Sequence, residues 1–395
     1  MENSSVTKFR EYLRITSVQP NVDYTKCVEF IKRLGEEVGL ETRVFGTVLK
    51  PVVILTWTGT DHQAGSILLN SHMDVVPVYK ESWIHDPFAA VKDEQGNIYG
   101  RGAQDCKCLG IQYIEAVRKL KEEGFRPKRT VNISFVPDEE IGGVKGMGTF
   151  VNSDDFKKLK VAFALDEGAT FNEDKFMIFN NERVAFPIKI VCNGTTGHGS
   201  LLHPNTAGEK LWKVLDAMMD FRQTQVEKLS TLSHPIFGLA KVTTVNLAIL
   251  EGGVQNNVVP PELSMTFDVR LSVHTKSQEF LKWIQDICWN AGENITMEVL
   301  NDNPTVPGTA TDSSNPFWIA MSSVLDEMKL KYQVTGCPGS TDARFLRKIG
   351  IPALGFSPIR NTEILVHSHN EMLNEVNFLE GIDVYRNLIK ALVNV

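Results

Sequence analysis

Five short clusters of acidic residues and histidine determine the chemistry that this chain could perform. Each follows an apolar run, and they are Ser71-His72-Met73-Asp74, Gly102-Ala103-Gln104-Asp105, Pro137-Asp138-Glu139-Glu140, Leu165-Asp166-Glu167-Gly168 and His367-Ser368-His369. Aspartate, glutamate and histidine are costly at buried positions unless they are paired or bound to metal. The clusters therefore predict a hydrolytic site that holds two metal ions.

Three of the clusters follow strand-like runs, at 67–69, 131–136 and 161–165. In open α/β sheets, ligands bind at the carboxyl ends of the strands. We therefore expect polar groups that are far apart in sequence to meet at one edge of a sheet.

The clusters around His72 and Asp105 each have a structural explanation beside the metal-binding one. The first is also compatible with a strand end whose histidine is simply hydrogen-bonded. If His72 is a ligand, the carboxylate of Asp74 would bond its far ring nitrogen and fix its tautomer. Asp105 lies near the start of a helix predicted over 103–123, where an acidic capping residue is common.

The two acidic pairs are harder to explain by structure alone. Glu139-Glu140 could be a solvated turn, but adjacent carboxylates raise each other's proton affinity unless a cation neutralises them. Asp166-Glu167 repeats the arrangement one strand later. His367 could lie in an exposed polar turn, yet it supplies the second imidazole that a two-metal site still lacks.

Three polar residues further along the chain are candidate substrate contacts. His198 lies between two glycines, so its loop has unusual backbone freedom, although loop histidines are often merely exposed. Arg270 interrupts an alternating apolar strand, either as an edge charge or as a bidentate partner for a carboxylate. Asn257 follows a glycine-rich turn and is either part of that turn or a contact to a substrate amide.

Length and charge limit the classes of protein to consider. With 395 residues the chain exceeds what one core usually organises, and its net charge of −7 includes no basic patch for nucleic acid. We expect no signal peptide and no membrane span. The six scattered cysteines favour the reducing cytosol, and Cys106-Lys107-Cys108 lacks the spacing of a zinc finger.

The order of strand and helix patterns predicts two domains. Alternating strands and helices over 1–184 and 304–395 favour a mostly parallel mixed α/β sheet with helices on both faces. Residues 185–303 show the order β-α-β-β-α-β, which matches a ferredoxin-like α+β unit inserted into the first domain. Helices are predicted at 24–39, 103–123, 206–222, 277–290, 313–329 and 376–393.

Longer segments around these clusters resemble the di-zinc amidohydrolases and exopeptidases, and in particular the N-acyl-amino-acid deacylases among them. The resemblance is carried by residues 71–77, 100–108, 135–143, 163–168, 250–254 and 353–358, in the family's order along nearly the whole chain. Met73 and Cys106 stand where the family commonly has threonine and methionine. A thiol beside a zinc site could be oxidised or could bind extra metal.

The resemblance implies a complete catalytic centre with two zinc ions per subunit. One zinc would be held by His72, Asp105 and Glu167, and the other by Asp105, Glu140 and His367. Asp105 would bridge the ions and leave a shared position for water. The family pattern makes Glu139 the general base, and it makes Asp74 the residue that orients His72.

The resemblance also implies a substrate and a subunit arrangement. The reaction would be hydrolysis of N-acyl-L-amino acids to a carboxylate and a free L-amino acid. The inserted domain would be a lid through which two subunits form a homodimer with shared active sites. His198 would stabilise the oxyanion in the partner's site, Arg270 would bind the substrate carboxylate, and Thr341 would line the site with its neighbours 339–343. A dipeptidase or carboxypeptidase on the same scaffold, or a catalytically silent metal-binding protein, are the alternatives.

Overall fold

A computed structural model of the chain describes residues 2–232, 234–300 and 305–395. Up to the first domain junction its helices and strands are α1 Ser4–Leu13, α2 Thr25–Val38, β1 Glu41–Thr47, β2 Lys50–Trp57, β3 Ser66–His72, β4 Val91–Lys92, β5 Asn97–Tyr99, α3 Lys107–Glu122, β6 Val131–Val136, α4 Met147–Phe150, α5 Asp154–Lys158, β7 Val161–Asp166 and β8 Phe176–Glu182. The central part contains β9 Val184–Ala185, β10 Ile188–Asn193, β11 Gly197–His198, α6 Ala207–Ser230, α7 Pro235–Gly238, β12 Thr244–Gly252, β13 Val258–Val259, β14 Glu262–Leu271, α8 Ser277–Ala291 and β15 Ile295–Val299. The last part contains α9 Pro316–Glu327, β16 Tyr332–Cys337, α10 Ala343–Lys348, β17 Ala353–Phe356, β18 Met372–Asn374 and α11 Glu375–Leu392.

The chain divides into two compact units. The first comprises Met1–Asn180, Pro307–Thr335 and Thr341–Val395, and the second comprises Asn181–Val306 and Gly336–Ser340. The sequence predicted junctions at 184–185 and 303–304, and the latter lies outside the described residues. Within the described ranges, no helix combines the length and the apolar character needed to cross a bilayer.

The first unit is built on a mixed sheet, with the strand order β1-β2-β6-β3-β7-β17-β8-β16 over the described residues. Strand β3 pairs parallel with β6 and β7, and β17 continues the parallel part beside β7. The pairs β1–β2, β2–β6 and β17–β8 are antiparallel. The parallel centre brings the carboxyl ends of β3, β6 and β7 to the same edge.

Helices cover both faces of this sheet because its strands are apolar on both sides. On β2, Val53 and Leu55 belong to the core beneath α1, α2, α3, α9 and α11, whereas Val52 and Ile54 face the core beneath α4, α5 and α10. Successive strand side chains point to opposite faces, so one strand serves both cores. Each fully buried side chain of this kind contributes roughly 1.5–3 kcal/mol to folding.

The second unit has the ferredoxin-like arrangement that the sequence predicted. Its antiparallel sheet has the order β12-β14-β10-β15, with β9 added beside β14. The apolar positions that alternate along β10 and β14 are buried in one core with α6 and α8. Helix α6 begins with a capping box between Thr206 and Glu209 and runs to Ser230, eight residues beyond its predicted end at 222.

The helix predicted over 103–123 is corrected at its start, because α3 begins only at Lys107. Residues 101–106 form consecutive turns. Gly102 has a φ of 88°, and the backbone N–H groups of Gly102, Gln104 and Asp105 are all donated to the carboxylate of Glu371. Asp105 therefore precedes the helix and does not cap it.

Candidate metal centre

The candidate site lies where the parallel strands of the first unit end. His72 is the last residue of β3, Glu139 and Glu140 follow β6 in a short 3-10 turn, and Glu167 comes directly after β7. Because β3 pairs parallel with both neighbours, these ends meet at one edge. The convergence expected from the sequence is present.

Two loops complete the cluster, and Asp105 lies at its centre. Its Oδ1 is 3.0 Å from His72 Nε2, and its Oδ2 is 3.1 Å from His367 Nε2. His72 Nε2 also lies 3.2 Å from Glu167 Oε2, and His367 Nε2 lies 2.9 Å from Glu140 Oε2. The five predicted ligands thus form two groups that share one carboxylate.

The candidate ligand atoms within each group lie within 4.8 Å of one another, which is compact enough to surround an ion. The first group contains one residue more than the sequence predicted, since Cys106 joins His72, Asp105 and Glu167. The second group consists of Asp105, Glu140 and His367.

The electrostatics of the cluster favour a cation. Burial, reinforced by neighbouring carboxylates, raises the pKa values of Glu167 and Glu140. Burial also acts to raise the pKa of Asp105, but hydrogen bonds with His367 and His72 outweigh it and hold that pKa well below its usual range. Hydrogen bonds to Asp105 and Glu140 raise the pKa of His367 to about 10. Divalent ions would neutralise these carboxylates in place of protons, so the residues present fit a metal pair.

One oxygen in the cluster points to the same conclusion. Oε1 of Glu140 is buried and has no hydrogen-bond partner among the described residues. A buried carboxylate oxygen without a partner is costly, and a bound cation would satisfy it.

Asp74 contacts His72 differently from the expected arrangement. The Nδ1 atom of His72 lies 2.8 Å from the backbone carbonyl of Asp74, whereas the Asp74 carboxylate is 3.8 Å away. That carboxylate accepts the backbone N–H groups of Glu139 and Glu140, both at 3.2 Å, and the side-chain amide of Gln19 at 2.8 Å. Asp74 is fully buried. It therefore orients the histidine through its main chain and the acidic turn through its side chain.

Glu139 lies beside the ligand groups without belonging to either. Burial raises the pKa of its carboxyl well above the ordinary value, and the charge of Glu167 adds to this effect. A carboxylate with raised proton affinity at a metal site has the properties of a general base. Its backbone is fixed by the bond to Asp74.

Sequence reasoning missed the polar network beneath the acidic turn. Asp138 is buried and has a φ of 65°, so the turn enters through a left-handed residue. Its Oδ1 accepts bonds from Gln19 at 3.0 Å, Tyr24 at 3.0 Å and Lys50 at 2.7 Å. Gln19 also donates to Asp74, which joins the two aspartates. In the sequence, the only indication of this network was Asp138, which lies in the 137–140 cluster that is interpreted as part of the metal site.

Glu371 was also missed as a structural determinant of the site. It is fully buried, pairs with Arg101 at 2.7 Å, and accepts the N–H groups of Gly102, Gln104 and Asp105. Burial raises the pKa of Glu371 to about 7, against the opposing charge of Arg101. In the sequence, the only indication of this role was that Glu371 lies shortly after the histidine cluster at 367–369.

Two predicted substrate contacts, His198 and Asn257, lie together in the second unit. The backbone N–H of Gly199 donates to the carbonyl of Asn257 at 2.8 Å. His198 is exposed, and its Nδ1 accepts the backbone N–H of Ser200 at 3.2 Å. A neutral His198 therefore carries its proton on Nε2, where it can be donated to a ligand.

Arg270 and Thr341 lie in different units. In the second unit, Arg270 makes a two-point contact with Asp268, at 2.8 and 3.1 Å. In the first unit, Thr341 is buried and precedes Asp342. Asp342 lies so close to Gly143 that a Cβ on that glycine would come within 2.2 Å of Oδ1. The 341–342 segment thus packs against the turn that follows Glu139 and Glu140.

Comparison with known proteins identifies the family. Residues 68–391 match the peptidase family M20/M25/M40. The chain belongs to this family. Over its full length it is 46% identical to aminoacylase-1 of Sus scrofa and 45% identical to aminoacylase-1 of Homo sapiens, of which it covers 96% each. It is 39% identical to aminoacylase-1 of Dictyostelium discoideum and covers 98% of that protein.

Two solved peptidase structures share the fold. An M20 metallo-carboxypeptidase from Sulfolobus solfataricus superposes with a TM-score of 0.75 at 18% identity, with all of both chains covered. The aminopeptidase PepT of Bacillus cereus superposes with a TM-score of 0.73 at 17% identity, with 98% of both chains covered. The predicted family, fold and class of enzyme are confirmed: the chain is a metal-dependent amidohydrolase of the M20/M25/M40 family, which implies a divalent metal.

Proposed function

We propose that this M20 enzyme hydrolyses N-acyl-L-amino acids to a carboxylate and a free L-amino acid. The observation that carries the proposal is the pair of ligand groups sharing Asp105, with the buried carboxyl of Glu139 beside them. The full-length likeness to proteins named aminoacylase-1 supports this class of substrate.

The proposed cofactor is two zinc ions per subunit. Imidazole nitrogen and carboxylate oxygen, the donors that His72, Glu167, Glu140 and His367 offer, are ordinary zinc ligands. With Asp105 shared, each ion would have three of the predicted protein ligands. Catalytic zinc sites commonly have this number, because it leaves a position open for water and substrate.

The chain's own residues perform the proton transfers. When bound, the metal ions would supply polarisation of the amide carbonyl and a lowered pKa for water. Glu139 would take the proton of the attacking water and return it to the leaving nitrogen. General acid–base catalysis of this kind contributes roughly 10²–10⁴-fold to the rate. Asp74 would hold Glu139 and His72 in their relative positions.

The second unit would supply substrate contacts and the dimer interface. His198, with its proton on Nε2, would donate to the developing oxyanion of the partner's site, where one donor is worth about 10²–10³-fold. Arg270 would bind the substrate carboxylate with the N–H groups that Asp268 leaves available. Asn257 and Thr341 would complete the substrate site.

An exposed edge strand supports the proposed homodimer. Strand β12 lies at the edge of its sheet and exposes Leu247, Ile249 and Leu250, while α6 exposes Trp212 and Met219. A long apolar edge strand favours pairing with another chain. A second copy of this unit is the partner that we propose.

The cytosol is the compartment that we propose. The support is that Cys27, Cys106, Cys108, Cys192 and Cys288 are buried free thiols. Free thiols are typical of proteins in a reducing compartment.

A kinetic comparison tests the function. The zinc-loaded enzyme should have a far higher kcat/KM for N-acetyl-methionine than for alanine-containing dipeptides, and removal of metal should abolish both activities. The reverse preference would establish the dipeptidase alternative. A protein that binds zinc but turns over neither substrate would be a silent metal-binding protein.

A further inference from the structure

We propose that Cys106 is a sulfur ligand to the ion held by His72, Asp105 and Glu167. Its thiolate would make this position selective for softer divalent ions than the position formed by Glu140 and His367. The inference rests on the proposed metal centre and extends it, because the ligand set drawn from the family pattern contains no sulfur.

The position of the sulfur atom carries the argument. Sγ of Cys106 lies within 4.8 Å of one candidate ligand atom on each of His72, Asp105 and Glu167. Those three atoms are also within 4.8 Å of one another. Cys106 is only 1% exposed, so its sulfur is enclosed in the protein and does not face solvent. One imidazole, two carboxylates and one thiol therefore surround one small volume.

A backbone contact fixes the sulfur beside the histidine ligand. The N–H group of His72 donates to Sγ of Cys106 at 3.4 Å. An N–H group directed at a sulfur ligand would stabilise the negative charge of the metal-bound thiolate and adjust its binding to the ion. When the ion binds, the S–H proton would leave to solvent as the bond from sulfur to metal forms.

The two metal positions would then differ in chemistry. The second group has only carboxylate and imidazole donors, from Asp105, Glu140 and His367. Thiolate favours zinc and other soft ions, whereas carboxylate oxygen also suits manganese and magnesium. The first position should therefore bind Co²⁺, Zn²⁺ and Cd²⁺ in strong preference to Mn²⁺, and the second should discriminate less.

Cobalt spectroscopy tests the ligand without relying on activity. Co²⁺ added to the metal-free enzyme should give visible d–d bands together with a near-ultraviolet charge-transfer band from thiolate to cobalt. The variants C106S and C106A should retain the visible bands and lose the charge-transfer band. The matched control is C108S: Cys108 is also buried, but its thiol is donated to the carbonyl of Gln104 at 3.6 Å. This variant should keep both kinds of band.

Cadmium affinity provides the second measurement. Loss of a hydrogen-bond partner of a metal ligand typically lowers metal affinity by at least ~10-fold. Loss of the Cys106 thiolate, a ligand itself, should therefore lower Cd²⁺ affinity by at least that factor. Mn²⁺ affinity should change little. Circular dichroism and thermal melting would establish that the C106S and C106A proteins compared are folded.

The outcomes separate this inference from the metal centre itself. Bound cobalt without a charge-transfer band in the wild type, or a band that persists in C106S and C106A, overturns the sulfur assignment and leaves the two-metal centre standing. Wild-type protein that binds no cobalt overturns both.

Discussion

The Oδ1 atom of Asp74 accepts the backbone N–H of Glu139 at 3.2 Å, while the main-chain carbonyl of the same aspartate contacts the ring of His72 at 2.8 Å. One buried residue thus links a candidate metal ligand to the candidate base. The short segment that follows β3 therefore fixes the position of Glu139 relative to His72.

Replacing Glu139 by glutamine should separate metal binding from catalysis. The amide is nearly isosteric, so both ions should remain, but it cannot take a proton from water. We expect kcat to fall by about 10²–10⁴-fold. Kinetics and metal analysis on the same preparation would measure both effects. The control is Glu94→Gln, the same substitution at an exposed position. Near-normal turnover by Glu139→Gln would show that Glu139 is not the general base.

Asp105→Ala should affect both metal positions, because both groups use its carboxylate. We expect bound zinc to fall below one ion per subunit under conditions that saturate the wild type. Glu140→Ala should mainly affect one ion, which makes it the comparison variant. Metal analysis after dialysis would decide, and an unchanged content of two ions in Asp105→Ala would contradict bridging.

Gln19→Leu should lower activity without removing any group that touches substrate. The change removes a donor that Asp74 and Asp138 share, and a hydrogen bond to a charged group is worth about 1.5–3 kcal/mol. Loss of such an outer partner typically costs about 10–100-fold in metal affinity or activity. We expect a lower kcat with little change in KM, whereas exposed Gln63→Leu should behave as wild type. If thermal stability falls while kcat is preserved, the role of Gln19 is purely structural.

The metal-free enzyme should lose stability as the pH rises. The folded-state pKa values of Glu139, Glu140 and Glu167 lie above the ordinary value of 4.5, so the folded chain binds more protons than the unfolded chain. Stability from a raised pKa is complete below the unfolded value and is lost as the pH rises through the folded value. His367, with a pKa of about 10, acts in the same direction at higher pH. The lowered pKa of Asp105 opposes this only in acid.

Melting temperatures of the metal-free and zinc-loaded enzyme, measured from about pH 5 to about pH 9, would test this expectation. The difference between the two forms should widen with pH, because zinc replaces protons on these groups. A difference that narrows with pH would show that the carboxylates are not held protonated in the absence of metal.

Mixing two inactive variants should test the shared active site. His198→Ala and Arg270→Ala should each be strongly impaired. If the two residues serve one site from opposite subunits, each heterodimer regains one intact site. Activity should then appear after subunit exchange, and it should not appear when either variant is mixed with itself. No recovery in verified heterodimers would place both residues in the same subunit's site.

Three of the ligand positions, His72, Glu140 and Glu167, could be predicted from the sequence because each lies at or just after the end of an apolar strand. Once β3, β6 and β7 are parallel neighbours, their ends must meet. The network beneath the turn could not be predicted in this way. Gln19, Tyr24 and Lys50 reach Asp138 from 88 to 119 residues away, and nothing in their local sequence marks them.

Two errors in the predicted elements have separate physical causes. Strand β1 lies at a sheet edge and is mostly exposed, so it lacks the apolar alternation that marks a strand. Helix α11 is long and has many buried positions, and it was predicted to within one residue at each end. The start of α3 was misplaced because residues 101–106 form turns, which Glu371, far away in sequence, holds through the N–H groups of Gln104 and Asp105.

The buried pair of Arg101 and Glu371 has a consequence for how the centre assembles. Glu371 holds the turn that carries Asp105, and Arg101 donates to the carbonyl of His367 at 3.3 Å. Asp105 and His367, two ligands that are far apart in sequence, are therefore both held by this one ion pair. Breaking the pair of Arg101 and Glu371 should displace both ligands together and so weaken both metal positions at once.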